Sequence, residues 1–568
     1  MPVQNAEVAA MFDQAAELLD IAGENQFRVR AYRRAARTIE GLPQSVKSIL
    51  AAGRELSELP GIGKDLAGKI ADIIATGHFA LLDTLKKSLP GELGEMAALP
   101  GLGPKRLKLL HDRLKVDTFD DLHRVIRTGR LHNLKGFGPT LEQKLAAALE
   151  KPVTEKRFKL SVAEAEADAL VSFLRGTGRV TVAGSYRRRR DTVGDLDLVV
   201  TADDAAAVGD KLVGYENVAE VLAHGGTRTT VVLRSGIQVD VRAVPEQSYG
   251  AALLYFTGSK AHNIALRAIA VRRGWKLNEY GLFSGRRRIA GSTEEEIYRK
   301  LGLSYIPPEM REDRGEVALA QAGDLPVLVA RADIRGDLHV HSDWTDGTAS
   351  IEAMAQAAQA KGYQYLALTD HSRRVAMAHG LDPARVGKQA REIDCINRQM
   401  RSFTILKGIE VDILKDGSLD LPDSCLAKLD IVLASVHSYF DLPRDSQTDR
   451  VIKAMSNPHV SIIAHPTGRL IGQRDPYDID MERVIATART TGCHLEINSQ
   501  PERLDLNDLY IKAAKQAGVK LAVSTDAHSA NSFDYIRFGI DQARRGWLTA
   551  DDVINTKPLA ALRKMLRR

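Results

Sequence analysis

Cysteine is nearly missing from these 568 residues: Cys395, Cys425 and Cys493 are the three present, and none stands in a Cys-x-x-Cys spacing. A disulfide framework does not fit this usage, and a reducing compartment is expected. Long apolar runs are missing too. Nothing approaches the roughly 18–20 residues of a membrane span, and Glu7, Asp13 and Glu17 interrupt the first apolar stretch, so neither a signal peptide nor an anchor is read. Charge of one sign is not in excess, with 79 Lys+Arg against 73 Asp+Glu. The net of +6 says little about partners; local runs such as Arg187–Arg190 and Arg286–Arg288 say slightly more, because phosphate binders concentrate positive charge in this way. A solvated loop accounts equally well for any one run. The length itself implies several domains, since single cores stop growing near roughly 250–300 residues.

What is present begins with carboxylates. Gly184-Ser185 precedes Asp195-Leu196-Asp197 followed by apolar residues, and Asp240 lies within Ile237-Gln238-Val239-Asp240-Val241. Residues two apart on a strand share a face, so Asp195 and Asp197 project together and Asp240 alternates with valines on an expected neighbouring strand. Three hard oxygen donors around an open site suit Mg²⁺ or Mn²⁺, and a cation pair there can activate a hydroxyl and neutralise a leaving pyrophosphate. A lone DxD on a strand is often just an exposed edge; the added Gly-Ser turn argues against that here. From Ala6 to Leu149 apolar residues recur at helical spacing. Three glycine turns punctuate them: Leu59-Pro60-Gly61-Ile62-Gly63, Leu99-Pro100-Gly101-Leu102-Gly103 and Leu134-Lys135-Gly136-Phe137-Gly138. Such turns point backbone N–H groups at an anion. The pattern resembles the helix-hairpin-helix motif, which grips DNA phosphates without reading sequence.

With Tyr255-Phe256-Thr257-Gly258-Ser259, Asn263, Arg267 and Asn278-Glu279-Tyr280 added, residues 1–315 resemble a family X DNA polymerase, the group that includes DNA polymerase beta. The resemblance implies that Asp195, Asp197 and Asp240 are catalytic metal ligands. It also implies that Ser185 and Arg188 touch the triphosphate beside the bare backbone of Gly184, that Tyr255 and Phe256 pack the sugar, that Asn263 meets the base edge and that Gly258 belongs to the same nucleotide-binding set. Gly61, Gly63, Gly101, Gly103, Gly136, Gly138 and Arg267 are then the DNA-binding residues. The family's small lyase domain carries a Schiff-base lysine where Lys69 stands, with Arg28 and Tyr32 matching nearby positions. Asp65 replaces one family lysine; one helical turn from Lys69, it would raise the amine pKa that such chemistry needs lowered.

Beyond Pro307-Pro308 the composition changes. A linker with one strand-like run, Val327–Val329, leads to Asp337-Leu338-His339-Val340-His341, and then nearly every β-type run ends in a ligand-capable residue: Asp346, His371, Glu410, His437, His465, Asp526 and His528. Helical stretches such as Ile351–Lys361 and Val484–Gly492 alternate with these runs, the layout of a parallel barrel whose site forms at the C-terminal strand ends. Any one of these histidines alone is more often a hydrogen-bonded core residue. Together they match the polymerase and histidinol phosphatase (PHP) domain. That resemblance implies up to three metals, one on His339, His341, Glu410 and Asp526, one on Glu410, His437 and His465, and one on Asp346, His371 and His528. Mixed imidazole and carboxylate donors suit Mn²⁺, Zn²⁺ or Fe²⁺, and such metals activate water toward a phosphodiester. Arg373, Arg374 and Arg469 are candidates for flanking phosphates.

The whole chain is therefore expected to be multidomain. The expected order is all-α helix-hairpin-helix domains at 1–81 and 82–150, an α+β nucleotidyltransferase palm at 151–242 and thumb at 243–315, a linker at 316–334, and a distorted seven-stranded α/β PHP barrel at 335–568. The implied function is gap-filling DNA synthesis in base-excision or double-strand-break repair, with 3′→5′ exonuclease action. Partners are gapped or primed duplex DNA and deoxynucleoside triphosphates, with no membrane, and the expected location is the bacterial cytoplasm at the nucleoid. Two other readings compete: a template-independent nucleotidyltransferase, and a chiefly nucleolytic protein that uses its polymerase half as a DNA scaffold.

Overall fold

A computed structural model describes residues 5–40, 46–51, 53–59, 61–88, 96, 102, 104–131, 134, 137–138, 141–142, 145 and 157–566. Its chain divides into two units, Met1–Lys156 and Arg157–Arg568. The first is helical, with Asn5–Ala22, Gln26–Glu40, Lys64–Thr76, Ala80–Ser88, Pro104–Leu114 and Phe119–Arg127 as its longer elements. Apolar residues at helical spacing turn inward together, and Phe12 stacks with Phe79 at 5.1 Å and tilts against Tyr32 at 5.4 Å. One hydrophobic cluster runs from Val8 to Leu145, so the boundary expected at 81/82 falls inside a shared core. The reason is that Asn5–Ala22 packs on both Gln26–Glu40 and Pro104–Leu114.

In the second unit, short strands β1 (Phe158–Lys159) and β3 (Thr192–Val193) pair antiparallel. The palm sheet is built from β2 (Val180–Val182), β4 (Asp195–Thr201), β5 (Val218–His224), β6 (Arg228–Leu233) and β7 (Gln238–Val244), in the order β2-β4-β7-β6-β5. Its central pair, β4 and β7, is parallel. After it come helices Tyr249–Thr257 and Lys260–Arg272 and an antiparallel sheet of β8 (Trp275–Asn278), β9 (Gly281–Ser284) and β10 (Arg287–Ala290). Residues 316–334, expected as a linker, are built into the body instead. Glu316–Ala322 is a helix, fully buried Glu316 accepts a 2.7 Å bond from His262 Nδ1, and Ala320 and Leu328 join the thumb core. Val327–Val329 forms no sheet; Val329 N donates to Leu548 O.

The barrel follows as seven parallel strands in sequence order: β11 (Gly336–Val340), β12 (Tyr365–Leu368), β13 (Thr404–Asp412), β14 (Ile431–Ser435), β15 (Ile462–Ile463), β16 (His494–Asn498) and β17 (Leu521–Ser524). Helices such as Ile351–Ala360 and Met481–Thr491 separate them, and the near-continuous burial along each strand is what helices outside a parallel sheet require. The two ends of the sheet meet where His341 N donates to Ala527 O at 2.8 Å. That closure brings the C-terminal strand ends into one ring.

Candidate active sites

In the palm, the parallel register sets Asp197 directly across from Asp240 and Asp195 across from Gln238. One oxygen from each of Asp195, Asp197 and Asp240 lies within 4.8 Å of the others. Burial, with the nearby charges of Asp195 and Asp240, pushes the Asp197 carboxyl up to about 7. Burial also opposes ionisation of Asp240, but it is outweighed by donors: Thr230 Oγ1 at 2.6 Å, Gln238 Nε2 at 2.8 Å and Arg228 Nε at 3.0 Å hold Asp240 below the usual range. Carboxylates crowded this closely fit a hard divalent cation, which relieves their repulsion. Gly184 faces them with φ of +63°, and a Cβ there would lie 2.5 Å from Asp197 Oδ2. Glycine is what permits the close approach of this turn to the carboxylates.

The turn's arginines have partners of their own. Arg188, expected at a triphosphate, is mostly buried, donating from Nη1 to Thr257 O at 2.7 Å and from Nε to Glu312 at 3.1 Å. Arg187 forms a bidentate pair with Glu294, at 2.9 and 2.7 Å. Tyr255, Asn263 and Arg267 line one cleft with Leu254, Leu277 and Asn278. Asn263 Nδ2 donates to Tyr255 O at 2.6 Å, and a Cβ on Gly258 would press on Asn263 Oδ1 at 2.8 Å. Phe256 packs edge-on to Tyr255 beneath Arg242 instead of lining that cleft.

At the barrel mouth all nine ligand candidates converge. Glu410 sits at the hub, with His371 Nδ1 at 2.8 Å, His465 Nε2 at 3.0 Å, His437 Nε2 at 3.3 Å, His339 Nε2 at 3.5 Å and His341 Nε2 at 3.6 Å. Asp526 Oδ1 lies 3.2 Å from His341, and Asp346 Oδ2 lies 3.4 Å from His371 and 3.3 Å from His528. Metal-sized clusters form from His341, Asp346, His371 and His528, from His339, His341 and Asp526, and from His371, Glu410 and His437. His339 Nε2, His341 Nε2 and Glu410 Oε2 are buried without hydrogen-bond partners. Polar atoms orphaned in this way are rare unless an ion or water belongs there. Burial, then the charges of His528 and His371, lowers His341 to about 4; burial and Arg503 lower His465 to about 3. Burial thus disfavours the charged form of both imidazoles, and a neutral ring is the form that ligates a metal. Metal-ion binding fits this site.

Two helpers escaped the sequence reading. Glu496 on β16 accepts from His339 Nδ1 at 2.7 Å and from His465 N at 2.6 Å, and Asp412 Oδ1 accepts from His437 N at 3.2 Å. Carboxylates that orient ligand imidazoles tune metal sites. The only signal was an acidic residue inside the apolar run Leu495-Glu496-Ile497. Arg469 corrects an expectation: it binds Asp191 of the palm at 2.9 Å and the carbonyls of Arg503 and Leu504, so it braces two domains and has no free fork for phosphate. Arg374 is held by Asp412 at 3.2 Å and the Tyr439 hydroxyl at 3.1 Å.

In the N-terminal unit, Gly61 has φ of +77° and Gly63 caps helix Lys64–Thr76. The carbonyl of Gly138 accepts from Leu141 N at 3.0 Å and Glu142 N at 3.1 Å, while Gly101, Gly103 and Gly136 lie outside the described residues. Lys69 forms an ion pair with Asp65 and stands 5.8 Å from the Tyr32 ring centre. Although burial disfavours the ammonium, bonding to Asp65 holds Lys69 above its ordinary value. Arg28 pairs with Glu24 at 3.3 Å.

Comparison with known proteins agrees with this geometry. The DNA polymerase beta thumb family matches residues 252–312 and the PHP domain family matches 337–500. A helix-hairpin-helix domain matches 3–79, and a SAM-like helix-hairpin-helix tandem matches 93–151. A protein of Bacillus subtilis (strain 168) named DNA polymerase/3′-5′ exonuclease PolX is 38% identical over 571 residues, covering 99% of this chain and 99% of its own length. The chain belongs to the bacterial family X DNA polymerases. Its PHP half also has free-standing relatives: a protein of Thermoanaerobacter sp. (strain X514) named as a probable phosphatase is 35% identical over 233 residues, 39% of this chain and 89% of its own length. In this family X chain, no helix among the described residues is long and apolar enough to cross a membrane.

Proposed function

We propose that the chain is a DNA-templated DNA polymerase that fills gaps during repair and trims DNA 3′→5′ at its PHP barrel. The observation that carries the reading is the strand register that sets Asp197 against Asp240 with Asp195 beside them, at the edge of a turn kept bare by Gly184. A primer 3′-hydroxyl attacks the α-phosphate of a deoxynucleoside triphosphate and pyrophosphate leaves. Mg²⁺ or Mn²⁺ held by the three aspartates supplies the charge that eases loss of the hydroxyl proton and offsets the leaving group. Asp240, kept ionised by its donors, stands on the primer side and assists that proton loss. Gly184 and Ser185 offer the triphosphate a backbone it can approach. Tyr255 and Asn263 shape the cleft for sugar and base, and Arg267, which lines the same cleft, meets the DNA.

At the barrel, the nine ligands would hold Mn²⁺, Zn²⁺ or Fe²⁺, which would supply the charge that activates a water toward a phosphodiester. His341 and His465 contribute neutral imidazoles, Glu496 fixes the ring of His339, and Glu410 ties the ligand groups together. The Gly61-Ile62-Gly63 turn and its counterparts hold duplex phosphates, while Lys69 serves as the amine in removal of a 5′-deoxyribose phosphate.

Single-nucleotide insertion into a one-base gap tests the polymerase reading. With each of the four triphosphates offered separately, only the complement of the template base is inserted, and Asp240→Ala stops insertion. Insertion of all four at similar rates would make the chain a template-independent nucleotidyltransferase.

A further inference from the structure

Around the barrel mouth the arginines differ in how far their guanidinium groups are engaged. Arg374 and Arg469 donate to fixed protein acceptors. Arg503 donates no side-chain hydrogen bond among the described residues; its Nε stands 3.8 Å from Asp526 Oδ2, and the side chain remains about one-fifth exposed. It is therefore a cation at the rim of the ligand cluster with its fork uncommitted, and its charge reaches His465.

The segment carrying it is anchored elsewhere. Glu502, the preceding residue, pairs with Lys159 of the palm at 2.9 Å, and its carbonyl accepts from Ile471 N at 2.6 Å. The following residue, Leu504, is buried in the palm's hydrophobic cluster beside Phe538, with φ of +44°. Arg469 ties the carbonyls of both Arg503 and Leu504 and reaches across to Asp191. Neighbours on both sides of Arg503 thus point into the polymerase half, and Arg503 alone of the three faces the barrel centre. Residues 501–503 form a turn in which Arg503 N and Leu504 N both donate to Gln500 O, at 2.8 and 2.9 Å.

We propose that Arg503 binds the phosphate of the 3′-terminal nucleotide at the PHP centre, and that the palm presents it there through Glu502 and Leu504. Guanidinium is the side chain suited to this task, since its planar fork matches two phosphate oxygens. The substrate class is a phosphodiester or terminal phosphomonoester of DNA. The proposal rests on the phosphoesterase reading above, and it gives the polymerase half a part in degradation distinct from synthesis.

The test uses the full chain loaded with Mn²⁺ and a 5′-labelled single-stranded oligothymidylate. Arg503→Ala lowers kcat/KM for degradation roughly 10- to 100-fold, chiefly through KM, as loss of a charge-assisted bond does. The same variant weakens binding of radiolabelled thymidine 5′-monophosphate in equilibrium dialysis, keeps full metal content and extends a gapped duplex normally. Arg503→Lys recovers part of the loss, because a point charge replaces the fork. Lys159→Ala, distant from the barrel ligands, shifts KM in the same direction by less. Unchanged kcat/KM and monophosphate binding in Arg503→Ala, with the wild type degrading normally, overturns the proposal and leaves the phosphoesterase reading standing. Loss of metal in that variant makes Arg503 a structural residue and also overturns it. Wild-type behaviour of Lys159→Ala removes the palm's part, and a wild type that neither binds metal nor degrades DNA removes the phosphoesterase reading itself.

Discussion

Replacing Glu294 with Ala removes the carboxylate that neutralises two arginines at the palm–thumb junction. Arg311 is wholly buried and donates to Glu294 Oε1 at 2.6 Å, while Arg187 grips both oxygens from the turn that begins at Gly184. Burial alone would raise the Glu294 pKa, but Arg311 and Arg187 outweigh it and hold the carboxyl near about 2 against an ordinary 4.5. That depression corresponds to roughly 3 kcal/mol of folded-state stabilisation near neutrality. Leaving Arg311 buried and unpaired gives a similar figure, roughly 3–5 kcal/mol. Because the folded-state pKa is lowered, this contribution is present above about pH 4.5 and is lost as the pH falls toward about 2. Native-state hydrogen exchange reads it locally, without treating so large a chain as two-state. Amides of Glu294–Lys300 should exchange on the order of 100-fold faster or more in the variant. The Michaelis constant for the incoming triphosphate should rise as well, since Arg187 loses its anchor. A companion Arg311→Met change should restore much of the protection, because the two losses are coupled. Acceleration of less than about fivefold, or losses that simply add in the double variant, would refute the reasoning.

Gly184→Ala places a Cβ 2.5 Å from Asp197 Oδ2 at a positive φ, so gap filling should be abolished in an extension assay while degradation of single strands persists. Glu496→Gln removes the charge that orients His339; metal affinity of the barrel, followed by competition with a chelator, should fall roughly 10- to 100-fold with extension unaffected. Asp65→Asn removes the carboxylate that raises Lys69, so borohydride trapping on 5′-deoxyribose phosphate DNA at pH 7.5 should increase relative to the parent and vanish in Lys69→Ala.

How much of this was legible in the sequence depended on the reach of each interaction. Strand alternation put Asp195 and Asp197 on one face, and Asp240 was recognisable between valines; that Asp197 stands opposite Asp240 is a matter of register, fixed only when β4 and β7 pair. The barrel ligands were readable because most lie at or just beyond the C-terminal end of a short apolar run, at the mouth of a parallel strand. Glu496 was not, since it sits inside such a run and its partner His339 is 157 residues earlier. Arg469 carried the wrong expectation for the same reason: its acceptor Asp191 lies 278 residues away, and long side chains give no local sign of their partners. Residues 316–334 resembled a linker because one helix, an extended stretch and a single 3₁₀ turn have little periodicity. The burial of Glu316 against His262 comes from the thumb they complete.

The central claim is that two separate cation centres, one all-oxygen and one imidazole-rich, perform synthesis and degradation. It is tested most directly by one crossed measurement on a gapped duplex in Mn²⁺, reading extension and degradation of the same labelled primer. Asp195→Ala with Asp197→Ala should end extension and leave degradation at the parental rate, and His339→Ala with His341→Ala should do the reverse. Loss of both activities in both pairs would contradict two independent centres.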